Sequence, residues 1–127
     1  MMPSALKESV EISGDRGALF GQRCRHCGMT LFPIREMCPQ CGGSDLERRA
    51  LSGVGKVFSW SAVHRAAAGW KVPYTIALVD FPEGPRIFSQ VRADASSMRV
   101  GMDVRVAFGR PPAGQPEDVY YFVPEKG

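Results

Sequence analysis

Cys24-Arg25-His26-Cys27-Gly28 and Cys38-Pro39-Gln40-Cys41-Gly42 hold all four cysteines of the chain, two copies of one Cys-x-x-Cys-Gly pattern with ten residues between them. Read together, Cys24, Cys27, Cys38 and Cys41 make one tetrahedral metal site, because two intervening residues let a tight turn aim both sulfurs of a pair at an ion about 2.3 Å away. The glycine behind each pair suits the unusual backbone angles there. The expected ion is a structural Zn²⁺, and the duplication of the pattern is what makes the signal strong.

Three other readings compete with zinc. Structural disulfides need an oxidising compartment, whereas the opening residues, Met1-Met2-Pro3-Ser4-Ala5-Leu6-Lys7-Glu8, lack the apolar region of a secretory signal, so the cytoplasm is the expected compartment. A thioredoxin-like role needs one such motif inside a βαβ unit. Iron is the third, since Cys-Pro-x-Cys-Gly also resembles a rubredoxin knuckle and thiolates do not choose cleanly between the two metals. With four protein ligands no coordination position stays open, so the site is expected to fold rather than catalyse. His26 is expected as an exposed knuckle residue. The ten-residue gap is shorter than the usual zinc-ribbon spacing of about 15 to 20, which asks for a small connecting hairpin.

Working outward, residues 21–49 are too few to fold without their metal, so a zinc ribbon at 21–49 is expected between an N-terminal arm at 1–20 and a second module at 50–127. The arm is expected to be frayed or docked on a partner, with Leu19 and Phe20 entering the first ribbon strand. A content of 44% hydrophobic and 23% charged residues is that of a globular protein, and no apolar run approaches the about 20 residues of a membrane span. The formal charge of +3 counts the cysteines as neutral; four thiolates and one Zn²⁺ together contribute −2, which leaves +1. Within the ribbon, five arginines, three acids and the metal site cancel, so the basic excess of a nucleic-acid binder is missing.

Beyond Ala50 the pattern is that of strands. Residues 53–63 are β-rich, and Tyr74 to Phe81 is nearly continuous apolar, as in a strand covered on both faces. After the Pro82-Glu83-Gly84-Pro85 turn, 86–92 returns as a hairpin partner. Residues 93–100 leave room for a short helix or loop. Met102 to Phe108 alternates with period two, and a Gly/Pro-rich loop from Gly109 to Pro116 leads to Val119–Val123. Five strands with that gap match the OB-fold, a five-stranded Greek-key barrel, with another small five- or six-stranded barrel as the alternative because one sequence does not give strand order; the expected fold is mainly β, a rubredoxin-like zinc ribbon followed by a five-stranded OB-fold barrel.

No nucleophile, acid–base pair or open metal position stands out, so no catalytic residue is assigned. Ser61 lies three residues before His64, which in a strand puts the two on opposite faces. The loop His64 to Pro73 joins the first two barrel strands, where OB-folds commonly bind ligands. Arg65 and Lys71 are candidates to attract phosphate, and Trp70 to pack on a partner or an adenine, with Tyr74 beside them; the competing reading folds Trp70 back onto the barrel. Trp70 and Val119-Tyr120-Tyr121-Phe122-Val123 are candidate interface anchors. A nucleic-acid module needs Phe58, Trp60 or Phe88 on an exposed face flanked by cations.

The chain resembles a family over residues 19–123: zinc-ribbon plus OB-fold proteins first catalogued as domain of unknown function thirty-five, found beside thiolases and lipid-transfer-type thiolase homologues. The resemblance rests on the two cysteine pairs, on Gly53-x-Gly55-x-Val57-x-Ser59-Trp60-Ser61-x-Val63-His64, and on Pro73-Tyr74-x-Ile76-Ala77-Leu78-Val79-Asp80-Phe81-x-Glu83-Gly84-Pro85-Arg86. Val100-Gly101-Met102-x-Val104 and Phe122-x-Pro124 complete it. It implies a non-catalytic subunit that stabilises a thiolase-like catalytic partner acting on acyl-CoA, and helps shape the CoA or acyl site. Arg65, Trp70, Lys71 and Tyr74 are then the candidate CoA or partner contacts. The alternatives are a nucleic-acid-binding module and a stand-alone acyl-CoA binder.

Overall fold

Strand β2 (Arg16–Cys24) is the spine of the N-terminal half, and its two ends serve different partners. The structure, a computed structural model, describes residues 9–13, 16–114 and 119–125. The first eight residues of the expected arm, Gly14-Asp15 and the end of the Gly109–Pro116 loop lie outside them. Where a frayed or partner-docked arm is expected, β1 (Val10–Ser13) pairs antiparallel with the start of β2, Val10 opposite Leu19 and Ser13 opposite Arg16. Further along, β2 pairs β3 (Thr30–Leu31) and β4 (Leu46–Ala50). Within the described part of the arm the chain is paired rather than frayed: Leu19, 2% exposed, belongs to the core of the barrel with Val10 packed against it, and Leu19 and Phe20 enter the first ribbon strand as expected. Burial of these side chains outweighs the fraying of a chain end.

The barrel is built from β5 (Val54–Val63), β6 (Tyr74–Asp80), β7 (Arg86–Val91), β8 (Asp103–Gly109) and β9 (Val119–Pro124), closed in the order β5-β6-β7-β9-β8. All neighbours are antiparallel except β7 and β9, which run parallel with Val91 opposite Phe122. This is the expected OB-fold. A 3₁₀ turn at Ala95–Ser97 fills the gap between β7 and β8. Inside, Val57, Val79, Ile87, Val91, Val104 and Phe122 are each at most 2% exposed. A Cβ on Gly55 would fall 2.5 Å from Val79 Cγ1 and 2.7 Å from the Asp80 carbonyl oxygen, so β5 crosses the wall closely only because that residue is glycine.

One expectation for the barrel is corrected. Strand β6 is not covered on both faces: Thr75, Ala77 and Val79 are buried while Tyr74, Ile76, Leu78 and Asp80 between them are half-exposed. Ribbon and barrel meet where Phe32 sets its ring edge-on to Tyr120 at 6.0 Å and where the Leu51 amide donates to the Leu19 carbonyl at 2.9 Å. Among the described residues no helix is long and apolar enough to cross a membrane.

Candidate metal centre and ligand groove

Each cysteine pair sits on the same turn. Gly28 N–H donates to the Cys24 carbonyl and Gly42 N–H to the Cys38 carbonyl, both at 2.8 Å, and the two glycines take φ of 83° and 77°, a region closed to most side chains. The turns face each other, so all four sulfurs lie within 4.8 Å of one another, with Cys24–Cys41 and Cys27–Cys38 at 3.6 Å. A tetrahedron with bonds of about 2.3 Å has edges of about 3.8 Å, so this set fits zinc, while the separation is far beyond a disulfide bond of about 2.05 Å. Cys24 and Cys38 are buried against Leu31 and Leu46; Cys27 and Cys41 lie at the surface.

The electrostatics ask for a cation. The Cys27 amide, pointing at its sulfur, lowers Cys24 to about 6 against the opposing effect of burial. Cys41 goes the other way: the Gly43 amide favours its thiolate, but burial and the neighbouring Cys24, Cys27 and Cys38 raise it to about 12. Cys24 gives up its proton readily, while Cys41 is held protonated by burial and by hydrogen bonds to the neighbouring sulfurs, an arrangement that a divalent ion replaces. Two of the ribbon's arginines are spent locally, Arg25 on Asp45 at 2.7 Å and Arg49 on Glu47 at 3.1 Å. His26 is exposed.

The second candidate site is the loop from His64 to Pro73. Trp70 lies against Tyr74, ring centroids 5.5 Å apart, and its indole is abutted by Gly114, which holds φ of 82°. It is half-buried, folded back on the barrel. Lys71 and Tyr74 line a groove of about 630 Å³ with His64, Thr75, Arg92 and Asp94; Arg65 is exposed and does not line it. Thus Lys71 and Tyr74 come together, Trp70 buttresses Tyr74, and Arg65 stands apart. No sequence motif marks Arg92; it reaches the groove because the end of β7 lies beside this loop, and it also donates to the Arg110 carbonyl at 3.3 Å. Of the candidate anchors in β9, Tyr120 (6% exposed) and Phe122 (0%) are taken into the barrel core, so neither is available to a partner.

Comparison with known proteins agrees with this geometry. The model of the ChsH2 rubredoxin-like zinc ribbon domain matches residues 13–47, and that of the ChsH2 C-terminal OB-fold domain matches residues 48–109. A DUF35 domain-containing scaffold protein of Methanocaldococcus jannaschii is 40% identical over 100 residues, 76% of this chain and 71% of that protein. The chain belongs to the DUF35 family. Another relative, the benzoylsuccinyl-CoA thiolase subunit BbsA of Thauera aromatica, is 38% identical over 91 residues, 72% of this chain and 63% of that one. Among solved structures, the Ltp2-ChsH2(DUF35) aldolase superposes with a TM-score of 0.71 at 27% identity, covering 84% of both chains. The match to a zinc ribbon domain and the four clustered cysteines together support a structural zinc here.

Proposed function

We propose that this chain is a non-catalytic subunit of a thiolase-like complex that makes or breaks a carbon–carbon bond in a 3-oxoacyl-CoA or a related thioester. It stabilises the catalytic subunit, which supplies the reacting groups, and helps shape the CoA or acyl site. The observation that carries this reading is its likeness, over most of its length, to a protein named as a thiolase subunit and to a chain solved in an aldolase complex. The groove beside the 64–73 loop supports it: Lys71 and Arg92 offer charge to phosphate, while Tyr74, Val72 and Pro73 offer an apolar wall for a pantetheine arm. Arg65, exposed on the same loop but outside the groove, is proposed to contact a phosphate or the partner. A thiolate-held zinc persists in a reducing compartment, and the cytoplasm is the proposed location.

The test is co-purification of a tagged chain from its native host, followed by peptide identification. A thiolase-sized partner is expected. Recovery of a lone monomer, together with full activity of the catalytic enzyme in its absence, would count against the proposal. For the groove, Lys71→Glu with Arg92→Glu should raise the KM of the reconstituted complex for acyl-CoA about tenfold, as loss of a phosphate contact does. An unchanged KM would remove the groove from the site.

A further inference from the structure

The outside of the barrel carries a feature used by neither the metal centre nor the groove. The register sets outward-facing Leu78 between Ser59 of β5 and Phe88 of β7, and Ile76 between Ser61 and Gln90. Serines are too short to cover such neighbours, so an apolar notch of about 170 Å³ opens over Ile76 and Leu78 and is walled by Phe88. Phe88 is 56% exposed. Phe58, thrust outward where the β5 register slips between Val57 and Ser59, is 46% exposed. Outward phenylalanines beside an open apolar notch offer an interaction surface.

The charges beside the notch decide what it fits. The next rung across the three strands is Lys56, Asp80 and Arg86. Arg86 is held by Asp80 at 2.6 Å while its guanidinium lies 3.4 Å over the Phe58 ring, and Lys56 is held by Asp103 at 2.7 Å. Both cations are neutralised within the chain. A nucleic-acid strand needs unspent cations beside its aromatic platforms. Trp60, the third aromatic of this region, pairs with inward-facing Ala77 and packs on the core instead. The complement of such a face is therefore an uncharged apolar protein surface.

We infer that the outer face of β5, β6 and β7 docks the catalytic subunit, which inserts an apolar side chain into the notch between Phe88 and Ser59. This rests on the accessory-subunit reading above. Two half-exposed phenylalanines offer about 200 Å², against about 800 Å² per partner in a standard interface, so the notch is the centre of a wider contact, where binding energy concentrates.

The experiment uses the thiolase-like polypeptide identified with the wild-type chain, produced separately and titrated against zinc-loaded variants. Phe88→Glu, at a half-exposed position, should weaken binding by at least about tenfold with zinc content unchanged and the melting temperature lowered by no more than about 8 °C. Ser59→Trp, which fills the notch without charge, should do the same. Val100→Glu, at a site 69% exposed and outside the notch, should bind as the wild type does. Binding of both notch variants within about twofold of wild type, or an equal loss in Val100→Glu, overturns the docking face while the accessory role, read from the wild type alone, survives. If the wild type recovers no such polypeptide, the accessory role falls and the docking face with it. Two other results also overturn it: a wild-type homodimer that Phe88→Glu dissolves in sedimentation, or binding of single-stranded oligonucleotide that Phe88→Glu abolishes.

Discussion

Phe122 and Phe88 lie on adjacent strands of one barrel and differ in which way they face, so the pair measures the fold directly. Phe122 is fully enclosed, 6.3 Å from the Phe81 and Tyr120 rings, whereas Phe88 is 56% exposed. Truncating Phe122 to alanine removes about 150 Å² of buried apolar surface, which at about 25 cal/mol/Å² amounts to about 4 kcal/mol and agrees with the about 3–5 kcal/mol typical of buried phenylalanine. Phe88→Ala gives up less than half of that, under about 2 kcal/mol. For a chain of this size 1 kcal/mol moves the melting temperature by about 3–5 °C, so Phe122→Ala should melt about 10–20 °C lower than the wild type and Phe88→Ala less than about 8 °C lower. Urea unfolding of the zinc-loaded proteins, with metal content measured before and after, gives both free energies. Equal losses, or a smaller loss for Phe122→Ala, would refute the assignment of the two faces.

Elemental analysis should find about one zinc per chain, and Cys38→Ser should lose it. Hydrogen exchange of the chelated protein should then show residues 24–46 unprotected and the amides of β5 to β9 faster than in the zinc-loaded protein but still the slowest of the chain; unchanged protection of 24–46 would show that the metal does not hold the ribbon. Tyr120 donates its hydroxyl to the Phe88 carbonyl at 3.1 Å, and burial raises its pKa above the ordinary value of about 10. The folded state thus keeps a proton that the unfolded state gives up, so this group's stabilisation is complete below about pH 10 and is lost as pH rises beyond it. Tyr120→Phe should cost about 0.5–1.5 kcal/mol at pH 7 and show a shallower alkaline fall in stability, read by urea titration at each pH. Gly114→Ala places a methyl group against the Trp70 indole at a left-handed backbone position, and should cost about 1–3 kcal/mol with a red shift of Trp70 emission. Unaltered fluorescence would mean that the ring does not rest there.

Much of this was legible in the chain, and what was not has a physical pattern. The metal centre is local chemistry, four ligands carried on two short turns, so spacing alone locates it. The barrel strands were legible because inward and outward residues alternate. Strand β4, Leu46-Glu47-Arg48-Arg49-Ala50, shows no such alternation; it forms because β2 offers an edge and because Arg48 reaches Glu11 of β1 at 2.9 Å. Both partners lie far away in sequence. The continuous apolar run of β6 was read as doubly covered, yet its outward half, Ile76 and Leu78, makes the notch. Composition cannot tell a side chain covered by its own fold from one left open to water. For the same reason Tyr120 and Phe122 looked like anchors: only the register of β8 with β9 shows that they point inward.

Leu19 is made by the metal-bearing half and spent in the other, a stopper lent across the joint. Severing the chain near residue 50 would not release two sound pieces, since the barrel would open where that stopper had been. Ion affinity and barrel firmness are therefore one linked equilibrium. Whatever stabilises the barrel with that stopper in place also raises the affinity for the ion some distance away.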